Sequence, residues 1–585
     1  MFSAWGARSG QIPDLEGGAS EDVCDWVNEK EFVFLAPQNT QAALIDGITV
    51  HSFANLGIKG DGRAAPSKFG PDKFTKYQRI RWVVVDETST VPLEVLVALE
   101  KQMTVAARDK RTWKLRRPQE PRMFGGCNLV LAGDFWQFPA VRATSVFHNP
   151  WAKTRSFGVA AMQRFLWTHS VENMAQLFEL TKEQRCMDPW LSVVLQEARH
   201  GRQSQEVWSF LHGYPTLHAG SWNPSTGKCT CQRAECEALY QKWAVEAQNR
   251  VMRPWALRQQ EECVQCQTER RRRCIVAGTS LLSPNPKDMK FLAGPFIHAL
   301  NAAKYIAAQL RAKFVARHRK HLLLWVVAQD MPLFTGEHGD PTASTAGKES
   351  WLRRHDQDTG GIMGLLPLLP GMPVRVTQTL PELRRFKIYK NTRATLLGWS
   401  LDEHDLERIR DSTGMELVLE KMPACLFLKI EGATWQEELD AEVGVIRVRP
   451  ILQHWKVDPQ GLATIARRGF PIACDYAGTA HSFMGSTLKA CTLDLEAWNA
   501  PSNRDAQLSG YMCLSRVKKC EDVCVTQAFS PNLFAQGDLL GPRLLLDVHR
   551  QATDLAEAKK KLRYGETKAA ANEGHTVGLS LMHPQ

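Results

Sequence analysis

RWVVVDETST, residues 81–90, decides the fold class. Arg81–Val85 is a short apolar run that delivers two carboxylates, Asp86 and Glu87, at its carboxyl end. A buried strand ending in a polar loop marks a parallel sheet, whose ligands gather beyond the strands' carboxyl ends. An acid pair in that place fits a phosphate–metal site, where one carboxylate holds Mg²⁺ through water and the next orients an attacking water. The pair fits a plain cap on a following helix equally well, so it does not choose alone.

A second segment adds weight. Residues 129–141 read LVLAGDFWQFPAV, again an apolar run closed by polar residues, with Gly133, Asp134, Gln137 and Pro139 in the loop. A glutamine one loop beyond a strand end can sense a γ-phosphate, or can simply be a satisfied loop amide. Phe32–Ala36 is another short apolar run, followed by a polar turn and a helical stretch at Gln41–Ile45. The reading is therefore α/β with parallel strands. Two arginines complete the constellation: Arg185, in Glu183-Gln-Arg185, and Arg516, in Leu514-Ser-Arg516. Taken together they suit the charge that develops in phosphoryl transfer; taken singly, each is equally a surface ion-pair partner.

Composition bounds the rest. The chain has 585 residues, room for three or four domains. With 44% hydrophobic and 23% charged residues it sits near the globular average, which excludes a mostly disordered or collagen-like chain. Apolar runs such as Leu322–Ala328 are too short to span a bilayer. No basic-then-apolar leader opens the chain, so secretion is not expected. A formal charge of +11 favours phosphate-rich partners.

The ordered motifs resemble one family. Ala36-Pro37, Thr49-Val-His51-Ser52-Phe53, the Asp86-Glu87 strand, the 129–141 segment, Glu183-Gln-Arg185, Thr479-Ala-His481-Ser482 and Cys513-Leu-Ser-Arg516-Val517 follow in the order of the petite-integration-frequency (Pif-type) helicases. These are superfamily 1B DNA helicases of the RecD-like branch, and the resemblance runs from Phe32 to Ala528. It implies two RecA-like lobes of the P-loop NTPase type. It implies ATP and Mg²⁺ as cofactors, and single-stranded DNA and DNA junctions as partners. Translocation would run 5′-to-3′ with duplex unwinding, in a nuclear or mitochondrial home. By the same resemblance Asp86 is the Mg²⁺-associated acid, Glu87 the base, Gln137 the γ-phosphate sensor, and Arg185 and Arg516 the arginine fingers. Pro37, His51 and Phe53 would touch the strand, where an aromatic can stack on a base. Thr479, His481, Ser482 and Gly485 would link strand binding to the nucleotide. Residues 369–374 and 391–393 resemble a small β-barrel-like insertion.

The chain departs from the family pattern in three places. The family's Gly-rich loop ending Gly-Lys-Ser/Thr, whose amides cradle phosphates, is not found in Met1–Lys30; Trp5-Gly-Ala-Arg-Ser-Gly10 has no lysine. Either the chain begins after the loop or the loop is lost, and in both cases poor ATP binding and hydrolysis are expected. Phe483-Met484-Gly485 stands where the family has Ser-Gln-Gly, removing an amide from the coupling segment. Pro37-Gln-Asn39 stands for Pro-Thr-Gly, removing a flexible backbone position. A nucleic-acid-binding relative without a motor is the competing class.

Six of the 15 cysteines fall between Cys229 and Cys274. Cys231, Cys236, Cys263 and Cys266 are the expected thiolates of a tetrahedral Zn²⁺ site; the alternative is a run of reduced cysteines on an insertion. A zinc-dependent interaction module on a helicase scaffold is the third functional reading. The expected organisation is a first lobe at 1–160, the start of the second at 161–205, the cysteine-rich insertion at 206–290, and a basic helix (Asn301–Arg319) with a linker at 291–360. A β-rich insertion at 361–460, the rest of the second lobe at 461–545 and a tail at 546–585 follow.

Overall fold

The computed structural model describes residues 31–58, 64–66, 77, 80–106, 115–117, 120–140, 143–152, 156–170, 173–174, 176–180, 186, 188–204, 207–208, 211, 275–276, 289–298, 301–333, 345–437, 441–457, 464–495, 504–525 and 529–563. The chain divides into two compact units. The first takes residues 1–185, 199–202 and 537–585, and the second takes 186–198 and 203–536. The first unit thus runs past the expected boundary at 160 and includes the carboxyl-terminal tail.

In the first unit a four-stranded parallel sheet runs in the order Ile48–Thr49, Phe32–Ala36, Trp82–Val85, Asn128–Leu131. One face of its central strands is closed, with Val33, Leu35, Val83 and Val85 all buried, while Phe34 and Val84 on the other face are half-buried. Helix Leu93–Ala106 packs on it through Leu93, Leu96, Leu99 and Met103, spaced about one helical turn apart. Helix Phe157–Trp167 starts at Ser156, whose Oγ accepts from Val159 N at 3.3 Å. It ends on buried Trp167, whose indole donates to Val146 O at 3.2 Å. The tail contributes helix Leu540–His549, which drives Leu544 and Leu545 into the same core.

The second unit has its own mainly parallel sheet, ordered Ala477–Thr479, Phe296–His298, Cys491–Leu493, Val523–Val525 and Ile275–Val276, with only the last strand antiparallel. The basic helix forms over Asn301–Arg319, as expected, and buries Ala308, Ala312, Val315 and Ala316. The β-rich region is an antiparallel sheet of Val445–Val448, Cys425–Lys429, Arg393–Ser400, Met372–Val376 and Ile472–Cys474. Its strand pairing is open, so closure into a barrel is not what the described residues form.

Part of the linker expected after the basic helix within 291–360 has regular structure. Gln329–Leu333 is a strand paired with Thr464–Gly469, Thr345–Leu352 is a helix, and Asp356–Thr359 is a 3₁₀ turn. Residues 334–344 of that segment lie outside the described residues.

The second unit also buries Lys304, 3% exposed, among the charges of Arg375, Asp356 and Asp475. Burial, then the Arg375 charge, pulls its ammonium down to about 8 from an ordinary 10.5. The folded protein therefore sheds this proton before the unfolded chain does. The penalty on folding is complete below pH 8 and fades as pH climbs through the unfolded value. Wild-type stability should gain on the order of 3 kcal/mol from this group between pH 8 and pH 10.5. Lys304→Met should lack that gain, so the urea-unfolding free energies of the two proteins should converge with rising pH; a gap independent of pH would refute the assignment.

Candidate functional site

In the first unit the two strand-end loops lie side by side. Asp86 N donates to Leu35 O at 2.8 Å and Ala132 N to Val85 O at 2.8 Å, carrying the parallel ladder one residue past the strands. Glu87 then adopts a left-handed backbone (φ 51°, ψ 41°), an uncommon conformation for a residue with a side chain. It starts the 3₁₀ turn Thr88–Thr90, and buried Thr88 fixes that turn by donating Oγ1 to Val85 O at 2.9 Å and N to Ala132 O at 3.0 Å. Gly133 makes the approach possible, because a Cβ there would lie 3.0 Å from Thr88 N and 3.5 Å from Glu87 Cα. The acid pair and the Gly-Asp loop are thus one shelf. Burial pushes the Asp86 carboxyl above its ordinary range; an adjacent divalent cation would reverse that.

Gln137 sits on this shelf, its Nε2 donating to Asp134 Oδ2 at 3.5 Å. Its Oε1 is buried and takes no hydrogen bond among the described residues. Two carboxylates and an amide with a spare acceptor fit a hydrated Mg²⁺ and an oriented water. The described residues include no phosphate cradle. Sequence reasoning missed Arg199, which pairs with Asp134 at 2.7 Å and lies 4.7 Å over the Trp136 ring. It also missed Asp538, which accepts from Trp136 Nε1 at 2.8 Å and meets His200 Nδ1 at 3.2 Å. The signal for Arg199 was its place in the last turn of helix Pro189–His200; Asp538 had none, being 402 residues from Trp136.

The Thr-x-His-Ser-Phe sequence occurs once in each unit, and it builds a similar turn both times. In the first unit Thr49 caps helix Val50–Phe53, its Oγ1 accepting from Ser52 N at 3.2 Å and donating to Ser52 Oγ at 2.9 Å. In the second, Thr479 precedes the 3₁₀ turn Ala480–Phe483 and its Oγ1 lies 3.2 Å from Ser482 Oγ. Pro37 and His51 are partly exposed, and burial lowers the His51 imidazole below its ordinary value. His481 is exposed. Phe53 is a correction: it is 4% exposed and packs 4.6 Å from Tyr77 in the core, so its ring is not presented for stacking. Gly485 has φ +75°, a conformation that favours glycine.

Arg516 is also placed differently from an exposed finger. It is 2% exposed and held inside its own unit. Its Nε donates to Met512 O at 2.8 Å, Nη2 to Ser515 Oγ at 2.6 Å, and Nη1 to Phe483 O at 3.4 Å and Ser486 O at 3.5 Å. Arg185, Cys231, Cys236, Cys263 and Cys266 lie outside the described residues. Among the described residues no cluster of three or more His, Cys, Asp or Glu side chains could hold a metal ion, and no helix is long and apolar enough to cross a membrane. Cys474 and Cys491 are buried, and burial pushes their thiols up to about 12, so they act as small core residues.

Residues 28–199 match the family model described as PIF1-like helicase. The chain is 28% identical over 221 residues to the ATP-dependent DNA helicase Pif1 of Bdellovibrio bacteriovorus, covering 36% of this chain and 45% of that one. It is 37% identical over 103 residues to ATP-dependent DNA helicase PIF1 of Saccharomyces cerevisiae, covering 17% of this chain and 11% of the relative. Each match spans less than half of the relative's length. Among solved structures, Pif1 helicase from Candida albicans is similar with a TM-score of 0.46 and 16% identity, over 89% of each chain.

Proposed function

We propose, taking residues 28–199 as a PIF1-like helicase segment, that the protein is a helicase-like binder of single-stranded DNA and DNA junctions. It carries the Mg²⁺ and water-orienting half of an ATP-hydrolysis site. In this reading the chain has two RecA-like lobes, and translocation and unwinding follow the 5′-to-3′ sense of the family. Asp86 associates with Mg²⁺, Glu87 orients the attacking water and Gln137 senses the γ-phosphate. Pro37, His51, Thr479, His481 and Ser482 contact the strand. When bound, ATP with Mg²⁺ would supply the phosphoryl chemistry; these residues bind and orient. The observation that carries the reading is the shelf itself: Glu87 locked in a left-handed turn against Gly133, with a glutamine acceptor beside it. A nuclear or mitochondrial home is proposed from the same family likeness.

The 585 residues contain no Gly-Lys-Ser or Gly-Lys-Thr step. A polypeptide of these residues should therefore bind DNA yet turn over ATP slowly. Anisotropy with a labelled oligo-dT should show binding that weakens roughly tenfold to hundredfold between 50 and 200 mM salt, as a few phosphate contacts require. ATP turnover with that DNA should not exceed the turnover of Glu87→Gln. No oligo-dT binding would overturn the strand-binding reading. Turnover that Glu87→Gln abolishes would overturn the ATPase deficiency.

A further inference from the structure

We infer that Arg393 is a positioning residue for the late motif at 479–485, acting through Phe483; the functional part of this inference rests on the strand-binding reading above. Arg393 opens the antiparallel strand Arg393–Ser400 and lies opposite Arg375 in the adjacent strand. Its Nε is 3.1 Å from Asp475 Oδ2, and its guanidinium carbon is 4.3 Å from the centre of the Phe483 ring. Asp475 is anchored in turn: it is 4% exposed, its N donates to Pro373 O at 2.9 Å, and its Oδ1 faces Arg375 Nη1 at 3.6 Å. The ring itself is fully buried and rests on Gly478, where a Cβ would meet Phe483 Cε2 at 2.2 Å. Gly478, Phe483, Arg393 and Asp475 therefore form a clasp between the antiparallel sheet and the turn that carries His481 and Ser482.

The clasp explains a departure in the sequence. Phe483-Met484 replaces the Ser-Gln of the family pattern, which costs the turn a hydroxyl and an amide. A phenyl ring makes no such hydrogen bonds, but a cation held over its face by a buried carboxylate fixes it by a different interaction. Arg393 and Asp475 lie 90 and 8 residues from Phe483 in sequence, and nothing in the sequence pairs either of them with it.

Hydrogen–deuterium exchange on the free full chain tests the positioning without requiring DNA. In Arg393→Met the amides of 479–486 should exchange about tenfold faster than in wild type, while those of Cys425–Lys429 keep their protection. Arg393→Lys, which returns a cation to the ring, should restore much of the protection. Phe483→Leu, with Arg393 intact, should loosen the same segment and covers the case in which Arg393→Met does not fold. Unchanged exchange at 479–486 in a folded Arg393→Met or in Phe483→Leu would overturn the inference. Oligo-dT affinity should fall about tenfold in Arg393→Met. A wild-type chain that binds no oligo-dT would remove the strand-binding reading, while the exchange data still decide the role of Arg393.

Discussion

Asp330→Ala lowers the unfolding free energy of the second unit by about 3–5 kcal/mol, the range for stranding one member of a buried ion pair. Arg467 is completely buried and holds Asp330 with two parallel bonds, Nε to Oδ1 at 2.7 Å and Nη2 to Oδ2 at 2.6 Å. The same guanidinium donates to Trp351 O at 2.9 Å and Ile362 O at 3.3 Å, and its carbon lies 5.2 Å from the Trp455 ring. One side chain thereby ties strand Gln329–Leu333 to strand Thr464–Gly469 and to the helix Thr345–Leu352. Removing the carboxylate leaves a buried cation whose remaining acceptors are neutral carbonyls. Replacing both partners, as Asp330→Leu with Arg467→Met, removes the charge along with its partner and should recover most of the loss, because the desolvation cost disappears too. Urea unfolding of the two proteins gives the comparison. A single-variant loss below about 1 kcal/mol would show that water reaches the guanidinium and that the pair behaves as a surface one.

That pair also shows where sequence reading stops. The parallel sheet of the first unit was legible because its strands are self-declaring: Trp82–Val85 is apolar on both faces and ends in the acid pair. The Gly-Asp loop was legible for the same reason, and both segments lie within residues 28–199, which match the PIF1-like helicase family model. Gln329–Leu333 looked like linker because an edge strand alternates exposed and half-buried positions and carries charge. Its identity as a strand depends on Arg467, 137 residues away. Phe53 failed for a related reason. An aromatic in a strand-binding segment and an aromatic packing under that segment have the same sequence, and only Tyr77 beside it decides which one it is. Asp86, Glu87, Asp134 and Gln137 were named from local sequence, whereas Arg199, marked there only by its place in a helix's last turn, is joined to Asp134 by the fold.

Arg516 carries the sharpest functional contrast. The family resemblance makes it an arginine finger, and a finger contributes nothing until a nucleotide arrives. Arg516→Ala would then leave stability and nucleotide-free DNA binding at wild-type levels. The structure gives it another task, because its Nη1 reaches the carbonyls of Phe483 and Ser486 while its own carbonyl accepts from Leu488 N at 2.7 Å. Those contacts hold the turn that follows Thr479-Ala-His481-Ser482 against helix Arg504–Leu514. Truncation leaves those carbonyls without their donor in a closed site, a loss of about 2–4 kcal/mol from several hydrogen bonds to one charged group. Binding of oligo-dT without any nucleotide should weaken at the same time, by roughly tenfold or more, since the turn that presents His481 and Ser482 loses its support. Arg516→Lys should recover part of the stability through its ammonium, but not the fan of donors that reaches Met512, Ser515 and Phe483 together. If Arg516→Ala melts like wild type and keeps its DNA affinity, the internal tie is not what this arginine is for, and the finger role stands alone.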